Sequence, residues 1–444
     1  MLEQNKNKLH VIRSTKHHLS FSNAGRTDML EKFISDYQEA IKYYTDYLWN
    51  NELTYPNSKQ ETVIFNVSKN LLQCPPYMDY NALSFKTSLS GRALSSAATQ
   101  ACGMVKSAVE KRRKQLWKLE ELKKDNKNTK KLEEKIEKFP LVKPGMPNEF
   151  KLELSSKCAL FEVSEKSTYF EGWIKLKSLG EQYGRIYLPI KWHKQANKFK
   201  NKLGFSMLGS FLLSKDYIDI RWEKYVEKKT KGIKVGCDSG ITEMLATTDN
   251  QKISKHPHGW SYNKCLQVCA RRKKGSKGFQ RAEDNRENYI NWEINQRNFS
   301  NISEFKLENN SWLHFKSNKG RFLYHHSYGL IKRSLQRACE LNGVRFTEVP
   351  CAYRSQRCNS CGWVQKNNRK AKDFYCLKCG HYDDADHNSA KNQLVDLPRI
   401  TEAFRGKKMN KDGFFWLITG IVLESGQEYR VPDALEEKIL YNFP

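Results

Sequence analysis

The sequence predicts a multi-domain α+β protein, and three observations carry that expectation. Strand-like segments lie on both sides of a helical block in the first half. A glycine-flanked strand and turn, Val235-Gly236-Cys237-Asp238-Ser239-Gly240, opens an alternating α/β region after residue 230. Two C-x2-C pairs then interrupt that region near its end. At 444 residues the chain is long enough for two or three cores.

Residues 9–22 read as a strand with a basic rim. Asp28 and Glu31 resemble a capping box, and Leu30, Ile34, Tyr37, Ile41, Tyr44 and Leu48 recur at helical spacing behind it. A loop around Tyr55-Pro56-Asn57 and Pro75-Pro76 follows. Ala93 to Met104 is rich in Ala, Ser and Gly, which permits close helix packing, and runs on into Lys111-Arg112-Arg113-Lys114. Asn126 to Thr129 breaks that helix, while Leu132, Ile136 and Phe139 mark a return arm. A helical hairpin with basic faces is expected, and such a charge run is most often a solvated surface. Beyond Pro140-Leu141 the pattern turns strand-like at residues 169–177, 185–191 and 217–222, with Gly180 and Gly184 at the joins. Strands flanking a helical block predict one small barrel with the helices inserted, closed by the N-terminal strand.

From about residue 231 a strand ends on Asp238 and a second, 241–247, returns from it. Arg271-Arg272-Lys273-Lys274 opens a basic helical stretch. Residues 302–307 read as a strand ending at Glu308. An amphipathic helix from about Leu323 to Leu341 stops at Gly343, and 344–349 form a further strand.

Cys358, Cys361, Cys376 and Cys379 form two C-x2-C knuckles separated by fourteen residues. Each pair supplies two thiolates from one tight turn, a tetrahedral site suited to structural zinc. The remaining cysteines (Cys74, Cys102, Cys158, Cys237, Cys265, Cys269, Cys339 and Cys351) are scattered and read as small buried hydrophobes. Cys265 and Cys269 are better explained as a helical i,i+4 pair than as a second metal site.

Asp238, Glu308 and Asp386 each sit at the end of a strand or the start of a helix. Hydrolysis of a phosphodiester by two Mg²⁺ ions about 3.5–4 Å apart needs such a carboxylate set to hold them. Crowded carboxylates repel, so without metal at least one tends to protonate. Glu304 is a rival for the second acid. The 77 Lys and Arg against 49 acids leave a net charge of +28, which points to a polyanionic partner, nucleic acid first and an anionic membrane surface second. The longest apolar runs, such as 414–418, are too short to span a bilayer. The N-terminus lacks an apolar signal core, so a cytoplasmic location is expected, or a nuclear one in a eukaryotic host.

Five stretches resemble TnpB, the transposon-encoded RNA-guided nuclease, with its Fanzor relatives and the miniature type V CRISPR effectors. They are Gly236-Cys237-Asp238-Ser239-Gly240; the basic run 271–277 with Glu287-Asn288-Tyr289-Ile290-Asn291; Phe305-Lys306-Leu307-Glu308-Asn309; 349–358; and Ala385-Asp386-His387-Asn388-Ser389-Ala390-Lys391-Asn392. The resemblance is specific over roughly 215–395 and architectural before that. Asn309-Asn310 depart from the family's second motif, and the interval between the first two motifs is short.

The resemblance implies an RNase H-like (RuvC) nuclease domain with a zinc-ribbon insertion, and a small wedge barrel carrying a helical recognition lobe. The corresponding boundaries are wedge 1–26 and 149–229, recognition lobe 27–148, RuvC 230–349 and 383–396, ribbon 350–382 and a C-terminal appendage 397–444. It also implies Asp238, Glu308 and Asp386 as magnesium ligands, and as partners a guide RNA with double-stranded and single-stranded target DNA. Arg271, Arg272, Lys273, Lys274, Ser355, Gln356 and Arg357 are the expected nucleic-acid contacts, Arg357 either at the scissile phosphate or in a structural role. A monomer and a dimer are both compatible with the sequence. So are three other activities: guided DNA binding without cleavage, an RNA-independent transposase or resolvase, and a zinc-ribbon transcription factor.

Overall fold

The computed structural model describes residues 7–19, 22, 24–49, 87–124, 128–138, 142–146, 150–164, 167, 169–251, 253–309, 325–398, 400, 409–423 and 428–429. The expected features at Tyr55, Cys74, Pro75, Asn126, Phe139, Pro140, Leu141, Asn310 and Leu323 lie outside them. The chain divides into two compact units, Ile12–Lys224 and Tyr225–Pro444 with Met1–Val11.

In the first unit, strands β1 (Lys8–His18), β2 (Leu152–Leu154), β6 (Ser206–Leu213) and β7 (Tyr217–Glu227) form a sheet in the order β1-β7-β6-β2. Strands β3 (Ala159–Val163), β4 (Gly172–Leu176) and β5 (Ile186–Ile190) form a second, antiparallel sheet. The expected single barrel is therefore two sheets. Helix α1 (Ala24–Tyr47) starts four residues before Asp28, so Asp28 lies inside the helix and does not cap it. Its predicted stripe holds: Leu30, Ile34, Tyr37, Ile41 and Tyr44 are buried. Helix α2 (Gly91–Lys124) packs on α1 and buries Ala93, Ala97, Ala98 and Ala101, because side chains of one carbon let two helices approach closely. Helix α3 (Lys130–Lys138) returns along α2, where Arg112 donates to the Ile136 carbonyl at 3.0 Å.

The second unit is built on a sheet in the order β11-β10-β8-β9, with β8 (Ile233–Asp238), β9 (Ala246–Thr247), β10 (Ile302–Asn309) and β11 (Arg345–Pro350). Strand β10 is parallel to both neighbours and buried along almost its whole length, as a central parallel strand requires. The returning strand after Asp238 is only two residues long, since 239–245 are used as a loop. Helices α4 (Tyr262–Arg271), α5 (Lys277–Asn295) and α6 (Tyr328–Leu341) contribute Tyr262, Leu266, Ile290, Ile294, Ile331 and Leu335 to one core with Val235, Phe305 and Leu307. Cys265 and Cys269 are buried in α4 as the helical pair anticipated. The basic run does not form a helix of its own. It ends α4 at Arg271 and turns through Gly275 into α5, where Ser276 caps the helix by accepting from Phe279 N at 3.1 Å. Gly343 has φ 67°, and a Cβ there would lie 1.9 Å from the Glu227 carbonyl oxygen, so only glycine closes this turn. No helix among the described residues is long and apolar enough to cross a membrane.

Candidate active site and cysteine ribbon

Because β8 and β10 are parallel, with Leu307 opposite Cys237, Asp238 and Glu308 emerge side by side at the carboxyl ends of neighbouring strands. Ligands of open α/β sheets gather at such ends. Both acids are only 7% exposed. Burial raises the proton affinity of Asp238, the nearby Asp386 charge raises it further, and a hydrogen bond with Glu308 opposes the shift. Two buried carboxyls this close repel when both are charged, which favours a shared proton or a bound cation.

Asp386 is delivered by helix α7 (Ala385–Leu394). Asp384 caps that helix, its carboxylate accepting from the backbone N–H of Asp386 at 2.9 Å and of His387 at 3.0 Å. The helix packs on β8 through Gly236, where a Cβ would lie 2.1 Å from the Ala390 carbonyl oxygen. This close approach brings Asp386 beside Gly240, whose added Cβ would sit 3.6 Å from Asp386 Oδ2. Asp386 is 5% exposed, and its two oxygens accept from Arg369 at 2.7 Å and from Lys372. Among the described residues, the four cysteines are the only group of three or more His, Cys, Asp or Glu ligands lying mutually within 4.8 Å. The three acids lie at one end of the sheet as a hydrogen-bonded pair, Asp238 with Glu308, and a third, Asp386, near enough for its charge to act on Asp238 but outside that mutual 4.8 Å spacing, its own charge balanced by two cations. Sequence reasoning missed Arg369 and Lys372. Four basic residues fall between the cysteine pairs, and spacing does not distinguish the two that face Asp386.

Glu304 does not join this set. It lies four residues back along β10, about 13 Å at strand rise, where Thr347 donates to it at 2.8 Å and Lys234 and Arg345 flank it at 3.7 Å. A cleft of about 810 Å³ borders the carboxylate end, with Trp260, Tyr289, Glu293, Arg297 and His387 in its wall.

The ribbon strands β13 (Arg369–Lys370), β14 (Asp373–Tyr375) and β15 (Tyr382–Asp384) form a small antiparallel sheet between the knuckles and α7. Cys358 and Cys379 sulfurs lie 3.8 Å apart, and Cys361 and Cys376 sulfurs 3.6 Å apart. A tetrahedron with metal–sulfur arms of about 2.3 Å has edges of about 3.8 Å, so the donors fit a four-thiolate ion such as zinc. Four thiolates saturate that ion and leave no open position for chemistry. Burial pushes the Cys358 thiol up to about 11, a cost that a bound cation removes.

Of the expected nucleic-acid contacts, Arg271, Arg272, Lys273 and Lys274 are exposed, and Ser355 and Gln356 are half-buried. Arg357 is not at the surface. It donates to the Trp416 carbonyl at 2.8 Å, the Cys358 carbonyl at 3.3 Å and Asn392 Oδ1 at 2.6 Å, contacts of the kind its structural reading expects. The appendage supplies that partner: β16 (Phe414–Leu417), β17 (Gly420–Leu423) and β18 (Glu428–Tyr429) extend a sheet from β12 (Trp363–Val364) in the ribbon.

Comparison with known proteins adds the following. A family model described as "Cas12f1-like, TNB domain" matches residues 328–393, the stretch from α6 through the ribbon and almost all of α7. The CRISPR-associated endodeoxyribonuclease Cas12f1 of Sulfoacidibacillus thermotolerans is 32% identical over 81 residues, 18% of this chain and 19% of that protein. The CRISPR-associated DNA-binding protein Cas12m of Thermanaerosceptrum fracticalcis is 34% identical over 80 residues, 18% of this chain and 13% of that protein. The matches thus span less than a fifth of either relative. Among solved structures, a Cas12f1–sgRNA–target DNA complex aligns over 87% of this chain and 99% of its own at 15% identity and a TM-score of 0.42. The mini-RNA-guided endonuclease CRISPR-Cas_phi3 aligns over 87% and 93% at 10% identity and a TM-score of 0.48.

Proposed function

We propose that this chain is an RNA-guided DNA endonuclease of the miniature type V kind, with a transposon-encoded TnpB-like origin as the narrower reading. One observation carries it: two buried acids at the ends of parallel strands, with a third brought beside them by a helix that leaves a cysteine ribbon. The match of residues 328–393, which include the ribbon and Asp386, to the Cas12f1-like domain model supports the same reading.

Asp238, Glu308 and Asp386 are the residues that would hold two Mg²⁺ ions, and their hard oxygen donors suit that ion. When bound, such ions activate water and stabilise the leaving oxygen. The protein's own part is positional. The β8–β10 register sets Asp238 against Glu308, the α7 cap fixes Asp386, and Arg369 and Lys372 balance the charge of Asp386. The cleft beside His387 offers aromatic and charged groups to a single strand. The cysteines would hold zinc in a purely structural site.

In this reading the sheets and helices of the first unit are wedge and recognition elements. They would bind the guide RNA and its heteroduplex through phosphates, leaving sequence to base pairing. The protein would work where nucleic acid is found, in the cytoplasm or nucleus. A second reading is guided DNA binding without cutting, favoured by the relative named a DNA-binding protein.

The deciding experiment sequences the RNA that co-purifies with the full chain, then offers matched DNA with Mg²⁺. Cutting that follows the RNA sequence and disappears in Asp238→Ala supports the nuclease. Matched binding without cutting selects the second reading, and RNA-independent cutting returns the chain to a transposase or resolvase.

A further inference from the structure

The segment after Leu394 is built into the candidate catalytic end rather than appended to it. Phe415 pairs with Trp363 and Phe414 with Val364 in antiparallel register, so the C-terminal hairpin extends the ribbon through β12. The docking is close on both sides. A Cβ on Gly413 would lie 2.1 Å from the Trp363 ring, and one on Gly362 would lie 2.9 Å from Leu417 and 3.2 Å from the Arg357 guanidinium. Trp416 N donates to the Gly362 carbonyl at 2.9 Å, and the Trp416 indole donates to the Pro398 carbonyl at 3.0 Å.

Arg357 joins this hairpin to α7. From one buried guanidinium it reaches the Trp416 carbonyl and Asn392 Oδ1. Asn392, fully buried, donates back to the carbonyls of Arg354 at 3.1 Å and Arg357 at 2.7 Å. Asn388, also fully buried, donates to the Arg357 carbonyl at 2.8 Å and accepts from Asn359 N at 3.0 Å. A buried polar network of this kind is rigid when all its members are paired, and loosens as a unit when one is removed. Asp386 lies two residues before Asn388 and six before Asn392 on the same short helix.

We propose that the C-terminal hairpin is a positioning element for Asp386, and that Arg357 is the positioning residue transmitting its docking to α7. The hairpin holds Arg357, Arg357 and the two asparagines hold the helix, and the helix holds the carboxylate against β8. The consequence for metal binding rests on the nuclease reading above; the mechanical link does not.

The test uses the full chain with its zinc, as wild type, Arg357→Lys and Gly413→Val. Lysine keeps the charge but cannot span Trp416 and Asn392 together. Valine blocks the approach to Trp363 from outside the network. Hydrogen exchange of the backbone is followed with zinc content and Mn²⁺ binding. In both variants, residues 385–394 should lose protection while 302–309 stay protected and zinc stays at the wild-type level. Mn²⁺ should bind about tenfold more weakly, the usual cost of losing an outer support of a metal ligand. If the hairpin and 354–364 exchange faster while 385–394 remain protected, the proposal is wrong. It is also wrong if α7 loosens and Mn²⁺ affinity is unchanged. A wild type that binds Mn²⁺ but cuts nothing overturns the nuclease reading alone. A wild type that binds no Mn²⁺ also overturns the metal consequence, and the exchange pattern still decides the mechanical link.

Discussion

At the scale of single residues, two positions have consequences that follow from contact chemistry. Gly236 is a glycine because α7 passes over it, so Gly236→Ala forces helix and strand apart. Overpacking of this kind costs about 1–3 kcal/mol, and the displacement acts on Asp386. Denaturant melts should show that loss, and under the proposed nuclease reading cleavage with Mg²⁺ should fall by more than the stability change explains. His17 is buried between Thr15, which it meets at 2.9 Å, and the Lys191 carbonyl at 3.3 Å. Burial lowers its pKa to about 4, the neighbouring His193 and His18 act in the same direction, and Asp219 and the Lys191 carbonyl oppose them. The folded chain therefore refuses a proton that the unfolded chain accepts below its ordinary value near 6.5. Stability is full above that value and is lost as pH falls toward 4, by about 3 kcal/mol at most. Thermal melts between pH 7 and 4 should show this loss and should flatten in His17→Gln.

At the scale of elements, the ribbon is the part that a bound ion at the four cysteines, as proposed, would hold together. Its strands are two or three residues long, and the cluster of Cys358, Trp363, Phe374, Cys376 and Ala385 is small. A hydrophobic core of that size does not offset the entropy of ordering the loop without metal. Removing zinc with a chelator, or replacing Cys376 by Ser, should unfold the ribbon and release β16 from β12 while the β8–β10 core stays folded. Tryptophan fluorescence would report it, because Trp363 and Trp416 are buried at that junction. Helix α1 contrasts with the ribbon. Its apolar stripe alone specifies it, and its start lies upstream of Asp28 and Glu31, which mimic a cap that the chain does not use.

At the scale of the whole molecule, the dominant quantity is charge. A surplus of 28 cations, many on exposed positions such as Lys111, Arg113 and 271–274, makes binding to a polyanion strongly salt-dependent. If the proposed guide RNA is bound, its affinity should fall steeply and linearly on a log–log plot as salt rises. Neutralising Arg271, Arg272, Lys273 and Lys274 together should lower that slope by about 3–4. An unchanged slope would remove this run from the interface.

How much was legible varies with the range of the interaction. Short-range signals survive in sequence: the cysteine spacing, the apolar stripe of α1, and Gly343 at a turn that admits no side chain. Glu308 is already preferred to Glu304 in sequence, but its position beside Asp238 depends on the parallel register of β8 and β10, which no local pattern encodes. The split of the strands into two sheets likewise depends on pairings far apart in sequence. By itself, the sequence determined that thiolates, carboxylates and a large positive charge would be present, because composition and spacing are local properties. Only the tertiary structure decided that Arg369 and Lys372 face Asp386, that Arg357 is interior, and that the C-terminal hairpin completes the ribbon. Those are contacts between segments distant along the chain, set by packing rather than by any residue's neighbours.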